Sequence, residues 1–299
     1  MLRTHPAFTT ALPFPSRLTF AAMWLLGRLP LLWLHRLGAA LGWFWLHAGF
    51  RETKVARINL ARCFPELNDL QREQLLRNTL IETGRTAVEL CWLWTRPART
   101  VNAAVRVTAD ENAFLQAMRE ERGVLIAAPH LGAWEALNLY LSRTGKVAIL
   151  YRPPRQAWLE LLINRCRGRF GAEPVRAEAA GVRTLLKRLK EGSVVGILPD
   201  QQPKVGEGEF APFFGQSALT MSLFPKLATR TGAKVLFAWA DRLPNGTGFA
   251  VRFADLGEIS NTEQMNAAIE QLARQAPAQY QWTYKRFGIQ PGGAPSPYR

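Results

Sequence analysis

The apolar run VLIAAP at 124–129 is followed at once by His130, and a carboxylate, Glu135, stands five positions further on. In a regular helix a separation of five leaves two side chains about 140° apart around the axis, so His130 is expected in the turn before a helix and Glu135 in its second turn. From there the carboxylate would accept from Nδ1, fix the imidazole tautomer and leave Nε2 free to take a proton. Amides at the helix start would meet negative charge developing on a carbonyl oxygen. Such a set of groups suits acyl transfer to a hydroxyl. The spacing alone is weak, because a capping or partly buried histidine satisfies it equally. Its context is stronger: His5, His35 and His47 all lie in the first fifty residues, so His130 is the only imidazole base in the rest of the chain.

Other chemistries lack their signatures. There is no G-x-S-x-G elbow for a serine hydrolase and no H-E-x-x-H for zinc, and neither G-x-G-x-x-G nor a Walker A pattern for a nucleotide. Cys63, Cys91 and Cys166 are widely spaced and odd in number, which argues against a disulfide framework or a zinc site and for a reducing compartment. No metal or cofactor is expected. A base acting directly on the acceptor, without a covalent intermediate, is what remains.

The elements that must position these groups are legible as alternating patterns. Short apolar runs at 124–129, 147–153, 194–200 and 234–240 are separated by helix-like AWLELLINRCRGRF and GVRTLLKRLKEG. This alternation implies an α/β fold with a mostly parallel central sheet flanked by helices, and Asn245-Gly246 between two strand-like runs adds an antiparallel hairpin. Functional groups gather at the carboxyl ends of such strands, where three polar clusters fall: PHLGAWE, YRPPR and PDQQ. Arg152 and Arg155 are candidates for a phosphate or carboxylate of the acceptor. Asp200 and Gln201 are expected to line the cleft, with Asp200 either binding substrate or pairing with Arg152. Upstream, residues 51–112 read as helical, with Asn68 or Asp69 as a cap and a stop at Arg96-Pro97.

The first fifty residues differ in kind. Residues 18–50 are rich in Trp, Leu and Phe, yet Arg28 and Arg36 interrupt them before any run reaches the ~18 apolar residues of a spanning helix. A retained, interfacial anchor bent around Pro30 is expected, its arginines snorkelling and its tryptophans at headgroup level; the competing reading is an amphipathic helix packed on the core. The organisation is therefore a membrane-associated segment 1–50, a helical region 51–112 and an α/β core 113–299, with 51–299 one domain. At 299 residues and 48% hydrophobic content the chain can bury a large core, and 38 basic against 23 acidic residues give a net charge of +15. That excess calls for an anionic partner. Arg165, Arg167, Arg169, Arg183, Lys187, Arg188 and Lys190 would form a cationic surface for a carrier protein or headgroups, or simply a solvated helix face.

Taken in order, NLARCFPEL, APHLGAWE, YRPPR, GILPDQQP, FAPFFGQSALT and WTYKRFGIQPGG resemble the late acyltransferases of lipid A biosynthesis, members of the lysophospholipid acyltransferase superfamily. The resemblance runs from about residue 18 to the end. It implies that His130 and Glu135 are the catalytic pair of an HX4(D/E) motif, and that an acyl chain passes from an acyl carrier protein or coenzyme A thioester, as co-substrate, to a hydroxyl of an anionic glycolipid. It implies further that this happens at the cytoplasmic face of the bacterial inner membrane among membrane lipids. Phe213, Phe214 and Gly215 correspond to a family turn expected to shape an acyl groove. Gln202 stands where relatives often carry an acid. Left open are the same chemistry on a lysophospholipid, amino-acid lipid or other glycolipid, a non-catalytic membrane-bound relative, and nucleic-acid binding driven by charge alone, for which no motif is present.

Overall fold

The computed structural model describes residues 12–299, so residues 1–11 of the amino-terminal segment lie outside the described residues. Four helices lead the chain: α1 (Phe14–Leu26), α2 (Leu31–His47), α3 (Arg51–Cys63) and α4 (Asp69–Thr95). There follow α5 (Ala98–Ala104), β1 (Val105–Val107), α6 (Glu111–Arg119), β2 (Val124–Ala127), α7 (Trp134–Leu141), β3 (Val147–Tyr151), α8 (Ala157–Gly168) and β4 (Glu173–Arg176). The last third holds α9 (Ala179–Lys190), β5 (Val194–Ile197), the hairpin β6 (Gly208–Phe213) and β7 (Gln216–Met221), α10 (Leu223–Thr231), β8 (Lys234–Arg242), β9 (Phe249–Ala254) and α11 (Thr262–Gln275).

Seven strands form one sheet in the order β1-β9-β8-β2-β5-β3-β4, with β6 and β7 paired separately. Every contact within the seven is parallel except β8 with β9, so β9 and β1 run against the other five. The continuous apolar runs follow from this architecture. All four residues of β2 and of β5 are buried, because the central strands are covered on both faces and alternation would waste one of them. On one face Leu125, Val195 and Phe237 meet Leu189, Leu227 and Leu272 of α9, α10 and α11. On the other, Val124, Val194 and Leu236 meet Phe114, Leu137 and Leu162 of α6, α7 and α8.

Helix α4 starts at a reciprocal cap, in which Asn68 accepts from the Gln71 amide and Gln71 accepts from the Asn68 amide. It ends at Thr95, with Arg96 as an extended cap ahead of Pro97. Against it lies α2, held at backbone distance. A Cβ added at Gly42 would fall 2.1 Å from the Leu80 carbonyl oxygen, and one at Gly84 would fall 2.0 Å from that of Gly38. The structure thus packs the amino-terminal segment on the core, as the second reading has it. Glycines seat α2 on the core, while Trp24, Leu25, Trp33, Trp43 and Phe44 stay exposed on the outer side. Arg28 and Arg36 lie over the rings of Trp24 and Trp33 at 4.2 and 4.9 Å. Helices α1 and α2 meet at a 112° bend, and no single described helix is long and apolar enough to cross a membrane. The three cysteines are free and buried; burial pushes the Cys166 thiol up to about 12 and also raises those of Cys63 and Cys91.

Candidate active site

His130 leaves β2 at its carboxyl end, where the chain turns into α7. Gly132 makes the turn possible: its φ of +64° is unfavourable for a side-chain-bearing residue, and a Cβ there would fall 2.1 Å from the Ala240 carbonyl oxygen. The loop is pinned on two sides. Gly132 N donates to Gln279 O at 3.0 Å, Gln281 N donates to His130 O at 3.0 Å, and Ala133 N donates to Ala240 O at 2.7 Å. From below, the buried guanidinium of Arg242 donates to the Gly132 carbonyl at 2.9 Å. The same group donates to both Glu89 oxygens at 2.8 and 2.7 Å and to Glu82 at 3.0 Å, and Glu89 also pairs with His35 of α2 at 3.2 Å. Burial opposes the Glu89 charge, but Arg242 and the hydrogen bonds from His35 and Arg242 outweigh it, and the carboxyl titrates below its ordinary range.

The carboxylate that meets His130 is Asp200, not Glu135. Asp200 Oδ1 lies 2.8 Å from His130 Nδ1, and Oδ2 accepts from the His130 backbone amide at 2.8 Å. Strand β5 neighbours β2, so the loop leaving β5 sets Asp200 directly beside the loop leaving β2. Nor does Asp200 pair with Arg152. Arg152 is exposed and faces Glu207 at 3.6 Å. Asp200 is almost fully buried. Burial raises its pKa, but the charge and hydrogen bonds of His130 lower it further, so the folded carboxyl titrates below its ordinary range. The Tyr280 phenol behind it is pushed well up by burial and by the Asp200 charge.

With Nδ1–H given to Asp200, the Nε2 lone pair is free to accept. It receives the Gln201 amide at 3.2 Å, and Gln201 donates in turn to Gln281 at 3.0 Å. His130, Gln201 and Arg152 border a cavity of ≈ 260 Å³ that runs inward between Trp134, Leu137 and Leu141 of α7, Ile149 of β3, Gly196 of β5 and Leu198 beyond it. Trp134 stands edge-on to the imidazole at 5.1 Å. The amides of Trp134 and Glu135 open α7 without a backbone acceptor.

Glu135 borders the same cavity but faces Arg167 and Trp94. Arg167 Nε donates to it at 2.9 Å and its Nη2 also bonds there, while Trp94 Nε1 donates at 3.1 Å. The expected His130–Glu135 hydrogen bond is not made, because Arg167 and the indole already take both carboxylate oxygens. Arg167 was legible only as a surface cation. The missed signal is a polar stripe on α8, since Glu160, Asn164 and Arg167 recur at helical spacing, and the Tyr151 hydroxyl joins Glu160 and Asn164 at 2.7 and 3.1 Å.

The other expected residues lie apart. Arg155 is exposed on the loop after β3 and does not border the cavity. Phe213 and Phe214 are buried in the opposite apolar layer, against Phe64, Tyr280, Trp282 and Phe287. With Gly215 they turn the β6–β7 hairpin at φ +51° for Phe214 and +69° for Gly215, so they back the wall behind Asp200 rather than shape a groove. Of the cationic set, Arg165, Arg169, Arg183, Lys187 and Lys190 are exposed, whereas Arg188 pairs with Glu173 and Glu191. Among the described residues no group of three His, Cys, Asp or Glu side chains is placed to share a metal ion.

Comparison with known proteins agrees on one family. The model of the family described as bacterial lipid A biosynthesis acyltransferase matches residues 6–288. The chain is 28% identical to the lipid A biosynthesis lauroyltransferase of Escherichia coli (strain K12), over 98% of this chain and 99% of that protein. It is 27% identical to the lipid A biosynthesis palmitoleoyltransferase of the same strain, covering 90% and 95% of the two chains. With that strain's lipid A biosynthesis myristoyltransferase it shares 25% identity, covering 87% and 83%.

Proposed function

The chain belongs to the bacterial lipid A biosynthesis acyltransferase family, and on that premise we propose how its residues move an acyl chain onto a lipid A precursor. His130 is the general base. Asp200 holds Nδ1–H, so Nε2 faces the cavity as the acceptor of the substrate's hydroxyl proton. The acceptor hydroxyl takes the place that the Gln201 amide now occupies. As its oxygen bonds to the thioester carbonyl carbon, its proton passes to Nε2. The Trp134 and Glu135 amides, free at the start of α7, receive the oxyanion. The carbon–sulfur bond then breaks, the electron pair leaves with sulfur, and the proton on Nε2 goes to the departing thiolate.

Glu135 acts as a positioning residue in this scheme. It fixes Arg167 and Trp94, and so keeps α7, α8 and α4 together around the cavity. The donor is an acyl carrier protein or coenzyme A thioester, and the exposed arginines and lysines of α8 and α9 offer an acidic carrier a complementary face. Arg152, at the cavity mouth, is placed for a phosphate of the acceptor. The outer side of α1 and α2, with its tryptophans and two arginines, lies in the membrane interface at the cytoplasmic face of the inner membrane.

The observation that carries this scheme is the double hydrogen bond from His130 to Asp200 at the edge of the cavity. The test is transfer from a radiolabelled acyl carrier thioester to a lipid A precursor, with product identified by mass spectrometry. His130→Gln is expected to cut turnover ~10²–10⁴-fold, the range of a positioned general base, with an unchanged melting temperature. Near wild-type turnover by a folded His130→Gln protein would remove the base assignment.

A further inference from the structure

Glycine is an odd choice at position 196. It sits inside β5, a central strand otherwise made of Val194, Val195 and Ile197, where a missing side chain costs both packing and backbone entropy. Nothing local requires it. Its backbone is not in the left-handed region, and a Cβ built there would meet nothing nearer than Ile149 Cγ1 at 3.7 Å, an ordinary contact. Across the sheet it pairs with Ile126 on one side and Ile149 on the other, so two branched side chains flank an empty position. Above that gap lie Leu137, Asn138 and Leu141, and the space between is the inner part of the cavity that opens at His130. Asn138 is buried, with its side-chain carbonyl oxygen unpartnered.

We propose that Gly196 sets the length of acyl chain this enzyme accepts, by leaving a furrow over β5 in which the chain lies between Ile149 and the Leu137–Leu141 face of α7. This role rests on the acyl-transfer reading of the site. The carbonyl carbon stands at His130, and the methyl end points down the furrow past position 196. A side chain there fills the furrow from its floor and shortens the longest chain that fits.

The test is a ratio. Wild type, Gly196→Ala and Gly196→Val are each assayed with saturated acyl–acyl carrier protein thioesters rising in steps of two carbons, on the same lipid A precursor. A methylene that does not fit costs about 10–200-fold in kcat/KM. Gly196→Val is therefore expected to lower the long-to-short ratio of kcat/KM by at least that factor and to move the optimum to a shorter chain. Gly196→Ala should move the ratio the same way by less. The ratio is independent of the fraction of enzyme that is folded, and the alanine variant decides the matter if valine is not tolerated. An unchanged optimum and ratio in the Gly196 variants overturns the proposal while leaving acyl transfer intact. Failure of wild type to transfer from any thioester overturns the functional reading, and the role of Gly196 with it.

Discussion

At the scale of single residues, the imidazole and its partner differ in how far the sequence reveals them. His130 could be singled out, because an apolar run ending in a polar cluster marks the carboxyl end of a buried strand. Asp200 could not be matched to it, since seventy positions separate the two and only the adjacency of β2 and β5 brings them together. Glu135, five positions away, was the obvious partner by proximity in sequence, yet Arg167 and Trp94 take it. The two carboxylates should therefore separate in experiment. Asp200→Asn removes an acceptor of Nδ1–H and is expected to lower kcat by about 10²-fold or more, seen as a loss of turnover with little change in KM. Glu135→Gln weakens the attachment of Arg167, and its main effect is expected on thermal stability. A larger kcat loss from Glu135→Gln than from Asp200→Asn, both variants being folded, would reverse these roles.

At the scale of elements, the central strands were plain because burial on both faces writes them as unbroken apolar runs, and the long helix α4 was bounded by its own cap and by Pro97. The hairpin β6–β7 was legible only as a turn at Phe213–Gly215, and that by resemblance; its strands left no local pattern. Its turn residues, Phe214 and Gly215, lack the Asn-Gly signature, and Phe214 is held at positive φ by contacts that no local pattern reports, including its amide donating to Glu270 at 2.7 Å. The contact of α2 with α4 leaves no room for a Cβ at Gly42 or Gly84. Gly84→Val would force the helices apart, and overpacking of this kind costs typically 1–3 kcal/mol, to be read as a lowered melting temperature and faster proteolysis between α1 and α4. The ion pair beneath the loop sets an acid limit. Glu89 and Asp200 have folded pKa values below their ordinary ones, so the stability they contribute is present above the unfolded carboxylate range near about 4 and disappears as pH falls through the lowered folded values. Acid titration of folding by circular dichroism should show a loss below that range, and Glu89→Gln should flatten it while lowering stability at neutral pH.

At the scale of the molecule, the proposed function has membrane lipid met on the tryptophan-bearing side of α1 and α2 while transfer takes place at the cavity. Partition onto vesicles containing anionic lipid should depend on both charge and apolar exposure. Trp33→Ser with Trp43→Ser is expected to weaken binding by about one to two orders of magnitude for each tryptophan removed, because burying one large apolar side chain is worth roughly 1.5–3 kcal/mol. Raising the salt concentration should weaken it further. Unchanged sedimentation of the double variant with vesicles would place the membrane contact elsewhere. The bond from His35 to Glu89, and through Arg242 to the carbonyl of Gly132, carries a practical corollary for anyone wishing to trim this enzyme into a detergent-free catalytic fragment. Clipping away the first fifty residues would bare the surface of α4 around Gly84, strip the Glu89 side chain of its His35 partner and slacken the loop that carries His130. What looks like a detachable tether is part of the wall behind the loop of His130 and Gly132.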